Sequence, residues 1–209
     1  MQARVHVRDA TREALAAAAT DVFAERGYDD ATVREISSRA GVNVALIKYH
    51  FGGKQGLYAE VLRRTLLGAG HALVPVLADG SLAPDGLLRA IIRTFVFRLL
   101  SSEGAESRLR LLAHEFAKPT PALSRIVREI VQPNYDRMRR IVGDLLRRSP
   151  DDEKTCLCTL SIVSQIILYA RIGSFFRLLR PALPLTRPRL ERIADHIADF
   201  SLAYLRSAS

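Results

Sequence analysis

The chain has 209 residues, of which 48% are hydrophobic and none is tryptophan. This length allows one or two domains with sizeable cores. The formal net charge is +9, yet residues 1–60 contain eight basic and eight acidic residues. Basic composition is therefore poor evidence that the amino-terminal part binds an anionic partner, and any such inference must rest on where individual cations lie.

The two cysteines, Cys156 and Cys158, are two residues apart on a predicted helix and point to different sides of it. They predict neither a disulfide framework nor a zinc site, and nothing else in the chain predicts a metal or cofactor. The first residues lack the apolar run of a signal peptide, and no stretch of 18 uncharged apolar residues is present. We therefore expect a cytoplasmic protein.

Helical periodicity dominates, without the alternating apolar runs and hairpin turns of strands, so we predict an all-α fold of about nine helices. Residues 1–8 form a basic segment that we expect to be a loose arm, either frayed or in contact with a phosphate backbone. The first helix is predicted from about Thr11 to Arg26 and ends at Gly27. Its role is that of a scaffold.

Thr32 and Glu35 have the spacing of a capping box, in which the hydroxyl accepts from the glutamate amide and the carboxylate reaches back. A second helix is therefore predicted to begin at about Thr32. Gly41 allows a reversal of direction, and Asn43 is a good cap for a short third helix before a fourth begins near Lys54. In a unit of this kind, the helix after the turn can enter the major groove of DNA.

The rest of the chain predicts further helices, separated by proline-rich or glycine-rich segments. A loop is predicted around Pro75 and Gly80, and a break at Gly173. Pro133 is expected to kink the longest helix, because proline leaves the carbonyl of Glu129 without its amide partner. The predicted helices cover approximately 84–101, 107–117, 122–148, 151–170 and 188–206.

The segment from Phe23 to Leu57, FAERGYDDATVREISSRAGVNVALIKYHFGGKQGL, resembles the amino-terminal domain of the TetR family of transcriptional regulators. The matching features are the glycine ending the first helix, the capping threonine, Ala-Gly-Val at the turn, Tyr-His-Phe ending the third helix, and Gly-Lys at the start of the fourth. The resemblance implies a three-helix helix-turn-helix DNA-binding domain over 1–55. It also implies a larger helical ligand-binding and dimerisation domain over 56–209.

The same resemblance implies a set of DNA-binding residues. Lys54 would add its charge to the exposed amides of a helix amino terminus, and Arg34 has the planar fork that suits guanine. Leu46 and Lys48 differ from the residues common at those positions in the family, and Leu46 has the alternative of a core position. The implied phosphate contacts are Thr32, Tyr49, His50 and Lys54; the implied base-reading residues are Arg34, Val44, Ala45, Leu46 and Lys48, and Asn43 caps the reading helix.

A second resemblance lies in HEFAKPTPAL and IVQPNYDRM, which are similar to the ligand-binding domain of the CecR-type branch of the same family. It implies a ligand cavity and a four-helix dimer interface across a two-fold axis. The implied interface residues are Leu160, Val163, Ile167, Leu190, Ile193, Ile197 and Phe200, which would alternatively close the monomer core. Candidate ligand residues are polar groups among apolar neighbours, each with the alternative of an internal hydrogen bond or an exposed face: His114, Glu115, Tyr135, Gln165 and Tyr169.

The predicted function is that of a homodimeric repressor, released from a palindromic DNA operator by a small-molecule effector. The alternative is a constitutive architectural DNA-binding protein without an effector, whose binding would depend strongly on salt. Catalysis is not expected. The sequence has no phosphate loop or nucleophile elbow, and its adjacent acid and histidine pairs would diverge on a helix.

Overall fold

The computed structural model describes residues 2–71, 82–100, 104–171 and 186–208, and these residues contain helices but no strand. The helices are α1 (Gln2–Asp30), α2 (Val33–Arg39), α3 (Ala45–Phe51), α4 (Lys54–His71), α5 (Pro84–Leu100), α6 (Ala105–Ala117), α7 (Pro121–Ile126), α8 (Gln132–Leu146), α9 (Glu153–Arg171) and α10 (Arg187–Ser207), with a π-helical turn over Val127–Val131. If the continuous run from α7 to α8 is counted as one helix, the described residues form nine helices. The predicted all-α fold is confirmed.

The helices form two compact units. The first contains Met1–Leu66 and Glu106–Arg128, and the second contains Leu67–Ala105 and Glu129–Ser209. The chain thus leaves the first unit within α4, returns to it for α6 and α7, and leaves it again at the π-helical turn. The boundary predicted after residue 55 separates proposed functions rather than compact units, and it stays a prediction.

Helix α1 is longer than the sequence predicts. Residues 2–8, expected to be a loose arm, are helical, and this expectation is wrong because nothing in that segment stops a helix: it contains neither glycine nor proline. Gly27 ends the first continuous stretch of α1, as the sequence predicts. It interrupts the helix with a φ of 74° and a ψ of −179°, and helical geometry resumes up to Asp30.

In the core of the first unit, most of the buried residues belong to α1, α2, α3 and α4, and α6 and α7 add Leu111 and Ile126. The rings of Phe23 and Tyr58 meet edge to face with their centroids 4.8 Å apart, and the ring of Tyr28 lies 4.8 Å from that of Tyr58. The aliphatic members of this core include Leu15, Ala19, Val22, Ile36, Ile47, Leu57, Val61 and Leu62. This packing confirms α1 as a scaffold for the shorter helices.

The core of the second unit lies between α5, α8, α9 and α10. Its buried members include Leu88, Ile92, Val96, Met138, Val142, Ile162, Ile166, Ala194, Leu202 and Leu205. No helix in the described part of the chain is both long enough and apolar enough to cross a membrane. The predicted loop near Pro75 and the predicted break at Gly173 lie outside the described residues.

Next to Pro133, where the sequence predicts a kink, the structure has the π-helical turn. Pro133 is the second residue of α8, directly after the turn that contains Glu129. The side-chain amide of Asn134 donates to the carbonyl oxygen of Ile130 at 2.8 Å, which gives one carbonyl of this turn a partner. A π-helical turn is one of the recognised ways in which a helix accommodates such a disruption.

The predicted dimer residues are not on one surface, and the prediction needs correction. Leu190, Ile193 and Ile197 are buried in the core of the second unit, while Val163 is half-buried against it and Ile167 is half-buried. By contrast, Leu160 and Phe200 are more than half exposed. The buried residues of α10 close the core of their own unit, which was the alternative to a dimer interface. Helix α10 carries apolar side chains on two sides, so its sequence alone did not show which side is buried.

Candidate nucleic-acid interface

The amino terminus of α2 is capped as the sequence predicts. Thr32 has an extended backbone, and its hydroxyl oxygen accepts from the amide of Glu35 at 3.1 Å. The carboxylate of Glu35 does not complete the reciprocal bond predicted for a capping box. It instead accepts from Nε of Arg26 at 3.1 Å, which ties α2 to α1.

The turn between α2 and α3 depends on Gly41, whose φ of 67° is one that residues with a Cβ rarely adopt. The amide of Val42 donates to the carbonyl of Ser37 at 3.0 Å across this turn. The side-chain oxygen of Asn43 then accepts from the amide of Ala45 at 2.8 Å, which confirms its predicted capping role. The amino terminus of α3 is thus fixed by the backbone turn at Gly41 and by the side-chain cap of Asn43.

Helix α3 has one buried side and one exposed side. Ile47 is 1% exposed and packs in the core, whereas Tyr49 is 63% exposed. The ring of Tyr49 contacts the ring of His50 edge to face, with centroids 4.9 Å apart. The residues predicted to bind DNA, here called the reading surface, divide into exposed side chains (Thr32, Arg34, Asn43, Val44, Ala45, Lys48 and Tyr49) and half-buried ones (Leu46, His50 and Lys54).

The junction of α3 with α4 contains a contact that sequence reasoning missed. Gly56, in the first turn of α4, lies against the carbonyl oxygen of Phe51, and a Cβ at residue 56 would overlap this oxygen severely. Only glycine therefore allows α4 to start so close to the end of α3. The signal in the sequence was the third glycine of the run Gly52-Gly53-Lys54-Gln55-Gly56.

Lys54 stands at the first residue of α4 but is not a free cation. Its ammonium group donates to the carbonyl oxygen of Asp29 at 3.0 Å and lies 4.8 Å from the centroid of the Tyr28 ring. These contacts link α4 to the end of α1. The predicted phosphate contact of Lys54 stays a prediction.

Charge is distributed unevenly over this neutral segment. Between residues 9 and 66, five arginines pair with carboxylates at 2.6 to 3.4 Å: Arg12, Arg26, Arg39, Arg63 and Arg64. Arg34 and Lys48 are exposed, and the contacts of the described residues give neither of them a carboxylate partner. The scaffold is thus charge-compensated, while the reading surface carries two cations available to an anionic partner.

Comparison with known proteins identifies the family of this chain. Residues 15–61 match the family described as bacterial regulatory proteins, tetR family. Residues 84–205, which are more than half of the chain, match the C-terminal domain of the HTH-type transcriptional dual regulator CecR. The chain belongs to the TetR family. Both sequence resemblances are confirmed, including the CecR-like carboxy-terminal domain.

Several relatives of this TetR-family chain are named for transcriptional control. The HTH-type transcriptional dual regulator CecR of Shigella flexneri is 28% identical over 178 residues, 81% of this chain and 79% of that protein. The HTH-type transcriptional repressor BepR of Brucella suis biovar 1 is 41% identical over 54 residues, 26% of each chain. The ketosteroid transcriptional regulator KstR2 of Mycobacterium tuberculosis shares the fold: TM-score 0.69, 20% identity, and coverage of 92% of this chain and 93% of that one. The TetR-family chain is therefore a DNA-binding transcriptional regulator.

The five predicted ligand residues of this regulator are divided between the two units. His114 and Glu115 lie in the first unit, where both already have protein partners: His114 the carbonyl of Ala24, and Glu115 the side chains of Tyr58 and Thr120. Both follow the alternative of an internal hydrogen bond. The other three, Tyr135, Gln165 and Tyr169, are half-buried in the second unit.

Tyr135 and Gln165 have different surroundings. The ring of Tyr135 lies under the guanidinium of Arg139, 5.5 Å from its centroid, and burial raises the pKa of the Tyr135 phenol. Gln165 lines a groove of about 270 Å³ between α9 and α10. The side-chain oxygen of Ser201 in that groove is buried without a hydrogen-bond partner among the described residues. The other lining residues are Lys154, Leu157, Cys158, Ser161, Ile162, Phe200, Tyr204 and Leu205.

Proposed function

We propose that this regulator is a homodimeric repressor, and that its two copies of α3 read the halves of a palindromic operator. The observation that carries the proposal is the reading surface, in which α3 has one exposed side and both Lys48 of α3 and Arg34 of α2 lack carboxylate partners among the described residues. A major groove admits an α-helix of this kind. Because α3 has only seven residues, a single copy reads few base pairs, and two copies related by symmetry lengthen the site.

Within the reading surface, the roles follow from chemistry. Arg34 offers two parallel donors to the edge of a guanine, and Val44 and Ala45 offer apolar contact to thymine methyl groups. The hydroxyl of Tyr49, the imidazole of His50 and the start of α4 at Lys54 hold phosphates. Phosphate contacts set affinity and position, whereas base contacts set sequence preference.

The proposed dimer face differs from the one predicted from the sequence. It consists of exposed apolar side chains on the two helices that border the groove, spaced three, four or eight residues apart along each helix. Apolar side chains exposed as a contiguous patch mark interaction surfaces in soluble proteins. The members of this dimer face are Leu157, Leu160 and Leu168 of α9 and Phe200 and Tyr204 of α10, each at least half exposed.

Release by a small-molecule effector is proposed from the CecR-type match over residues 84–205. Of the predicted ligand residues in the second unit, we propose Tyr135 and Tyr169 as residues that contact the effector, because Gln165 lines the groove bordered by the proposed dimer face. An effector releases DNA only if it binds the DNA-free conformation more tightly than the DNA-bound one. Because the proposed target is chromosomal DNA, the proposed location is the cytoplasm.

The test begins with selection of duplexes from a random pool by the purified chain. A repressor of the proposed kind recovers one sequence with two-fold symmetry and protects it in a footprint. Recovery of unrelated sequences, bound with a steep salt dependence and without a sharp footprint, supports the architectural alternative instead.

Two variants then test the assigned docking on the selected duplex. Arg34→Ala should relax preference at one base pair in each half-site and cost about 1–3 kcal/mol against the preferred base. Arg39→Ala is the matched control, because Arg39 is another exposed arginine of α2 but is held by the carboxylate of Glu25 at 2.7 Å. Equal sequence preference in both variants would contradict the role of Arg34.

Tyr49→Ala addresses the phosphate contacts. We expect weaker binding to every duplex, with sequence preference unchanged and with an unchanged slope of log affinity against log salt concentration, because a neutral hydroxyl releases no counterion from DNA. The measurement is a binding titration at three salt concentrations on the selected duplex and on a scrambled one. Unchanged affinity on both duplexes would count against the docking of α3 through Tyr49.

A further inference from the structure

The first unit contains a segment that lies far along the chain from the helix-turn-helix. Residues 106–128, here called the returning segment, comprise α6 and α7 and pack with residues 1–66. They lie outside residues 15–61, which match the tetR family. The amino-terminal match alone therefore does not account for every residue that builds the DNA-binding unit.

Glu115 of the returning segment is a fully buried carboxylate, 0% exposed. One oxygen accepts from the hydroxyl of Tyr58 in α4, and the other accepts from the amide and the hydroxyl of Thr120 at 2.7 and 2.8 Å. Three donors directed at one carboxylate compensate the cost of burying its charge. Burial and the hydrogen bond to Glu115 raise the pKa of Tyr58 above its ordinary value, so its hydroxyl keeps its proton and remains a donor.

His114, the preceding residue, contacts α1 at its interruption. Its Nε2 lies 3.2 Å from the carbonyl oxygen of Ala24 and, since a carbonyl only accepts, donates to it. Its ring also lies 3.4 Å from the position that a Cβ on Gly27 would occupy. Carbonyls just before the end of a helix lack the amide partners of a continuous helix, so His114 acts as a side-chain cap.

Two polar contacts extend this attachment along α1. Lys118 pairs with the carboxylate of Asp29, and the hydroxyl of Ser107 donates to the carboxylate of Asp21 at 2.7 Å. The carbonyl of the same Asp29 accepts from Lys54 at the start of α4. The end of α1 is therefore held on one side by the returning segment and on the other by the helix that follows α3.

We propose that His114 and Glu115 are positioning residues for DNA binding, which fix α1 and α4 in the arrangement that presents α3. The proposal rests on the docking of α3 described above. Neither side chain touches DNA. His114 holds the interrupted end of α1, and Glu115 holds α4 through Tyr58, so the two helices that support α3 are held by adjacent residues of one helix.

Replacement of Glu115 by leucine leaves the Tyr58 hydroxyl and the Thr120 donors without an acceptor, whereas glutamine keeps an oxygen in place. The same logic applies to His114, since leucine removes the donor to Ala24 and glutamine restores an N–H at similar reach. The matched control is Glu106→Leu, because Glu106 lies on the same helix, is largely exposed and pairs with Arg110 one turn away.

The experiment uses the full chain and the duplex selected by the wild-type protein. It measures affinity at a temperature where circular dichroism shows each variant folded, together with hydrogen exchange of peptides covering residues 24–31. We expect H114L and E115L to bind at least about ten-fold more weakly than E106L. We also expect faster exchange at residues 24–31 in these two variants, and partial recovery of affinity and protection in H114Q and E115Q.

A purely structural role would lower the unfolding midpoint but leave the affinity of the folded variants equal to that of E106L, and this result would overturn the proposal. Equal affinity of the leucine and glutamine variants, both below E106L, would also overturn it, because the hydrogen bonds would then not be responsible. If E115L fails to fold, the comparison of H114L with H114Q decides alone. Failure of the wild-type chain to select any duplex would contradict the proposed function instead.

Discussion

Gly56 has room for a hydrogen atom on its Cα and for nothing larger, since the carbonyl oxygen of Phe51 occupies the place of a Cβ. The same residue is the third position of α4, where a side chain would normally favour the helix. Conformational preference and packing therefore oppose each other at this residue, and packing decides. The contact of Gly56 with Phe51 therefore sets the distance between the end of α3 and the start of α4.

We expect Gly56→Ala to lower the free energy of unfolding by about 1–3 kcal/mol, because the added methyl group forces α3 and α4 apart. Gly86→Ala is the control. Gly86 is likewise the third residue of its helix, α5, but a Cβ there would meet a side-chain carbon of Leu82 at an ordinary 3.6 Å. Urea unfolding of both variants is the measurement, and equal stabilities would refute the steric argument.

Helices α1 and α4 are joined by an ion-pair network as well as by their apolar core. Arg64 donates from its two terminal nitrogens to the carboxylate of Glu13 at 2.6 and 2.9 Å, and from Nε to Glu60 at 2.9 Å. Arg12 of α1 donates to the same Glu60 at 2.8 Å. The bidentate geometry and the shared carboxylate make this network more specific than an isolated surface pair.

The network predicts a stability that depends on pH. The hydrogen bond from Arg64 lowers the pKa of Glu13; burial opposes ionisation of Glu60, but hydrogen bonds and charges, led by Arg64, lower its pKa too. Because their pKa values are lowered in the folded state, these two carboxylates stabilise the fold fully above the ordinary pKa of 4.5. This stabilisation is lost as pH falls through their folded-state pKa values.

Arg64→Met should therefore reduce the difference in unfolding free energy between pH 7 and pH 3 relative to the wild type. Arg63→Met is the control, because among the described residues Arg63 pairs only with Glu60, at 3.4 Å. Urea titrations at both pH values measure the difference. A wild-type pH dependence retained in full by Arg64→Met would show that other carboxylates account for the acid sensitivity.

Local signals predicted the elements better than they predicted which sides of the helices are buried. The caps at Thr32 and Asn43 involve residues two or three positions apart, and sequence spacing was enough to find them. Helix α10 carries apolar residues on two sides, and periodicity cannot tell which side meets the core. Ile197 was therefore assigned to a dimer interface, although it is buried in its own unit.

Contacts between distant residues were the second limit. Glu115 accepts from a residue 57 positions earlier, and His114 contacts a carbonyl 90 positions earlier. A polar residue among apolar neighbours suggests either a ligand site or an internal hydrogen bond, and its own neighbours in sequence do not distinguish the two. The sequence showed that Gly56 is a residue disfavoured in helices, but it did not show the contact with the Phe51 carbonyl that requires glycine there.

At the scale of the whole molecule, the dimer face has a direct test. Phe200→Asp and Leu157→Asp should convert the dimer to a monomer, because each places a charge within an apolar contact, and operator affinity should fall with dimerisation. Leu82→Asp is the control, since Leu82 is also exposed but lies just before α5, outside both helices of the face. Sedimentation or light scattering at several concentrations measures the oligomeric state.

An unchanged dimer in both variants would exclude this face as the interface. A monomeric wild-type chain at micromolar concentration would exclude the proposed symmetric reading altogether.

The return of residues 106–128 to the first unit has a consequence for synthesis and for engineering. Domains form as the nascent chain emerges, in order from the amino terminus. The DNA-binding unit of this chain nevertheless stays incomplete until α7 has left the ribosome, after α5 of the other unit has already emerged. A chimera joined after residue 61, where the tetR match ends, would likewise separate Tyr58 from the carboxylate that holds it.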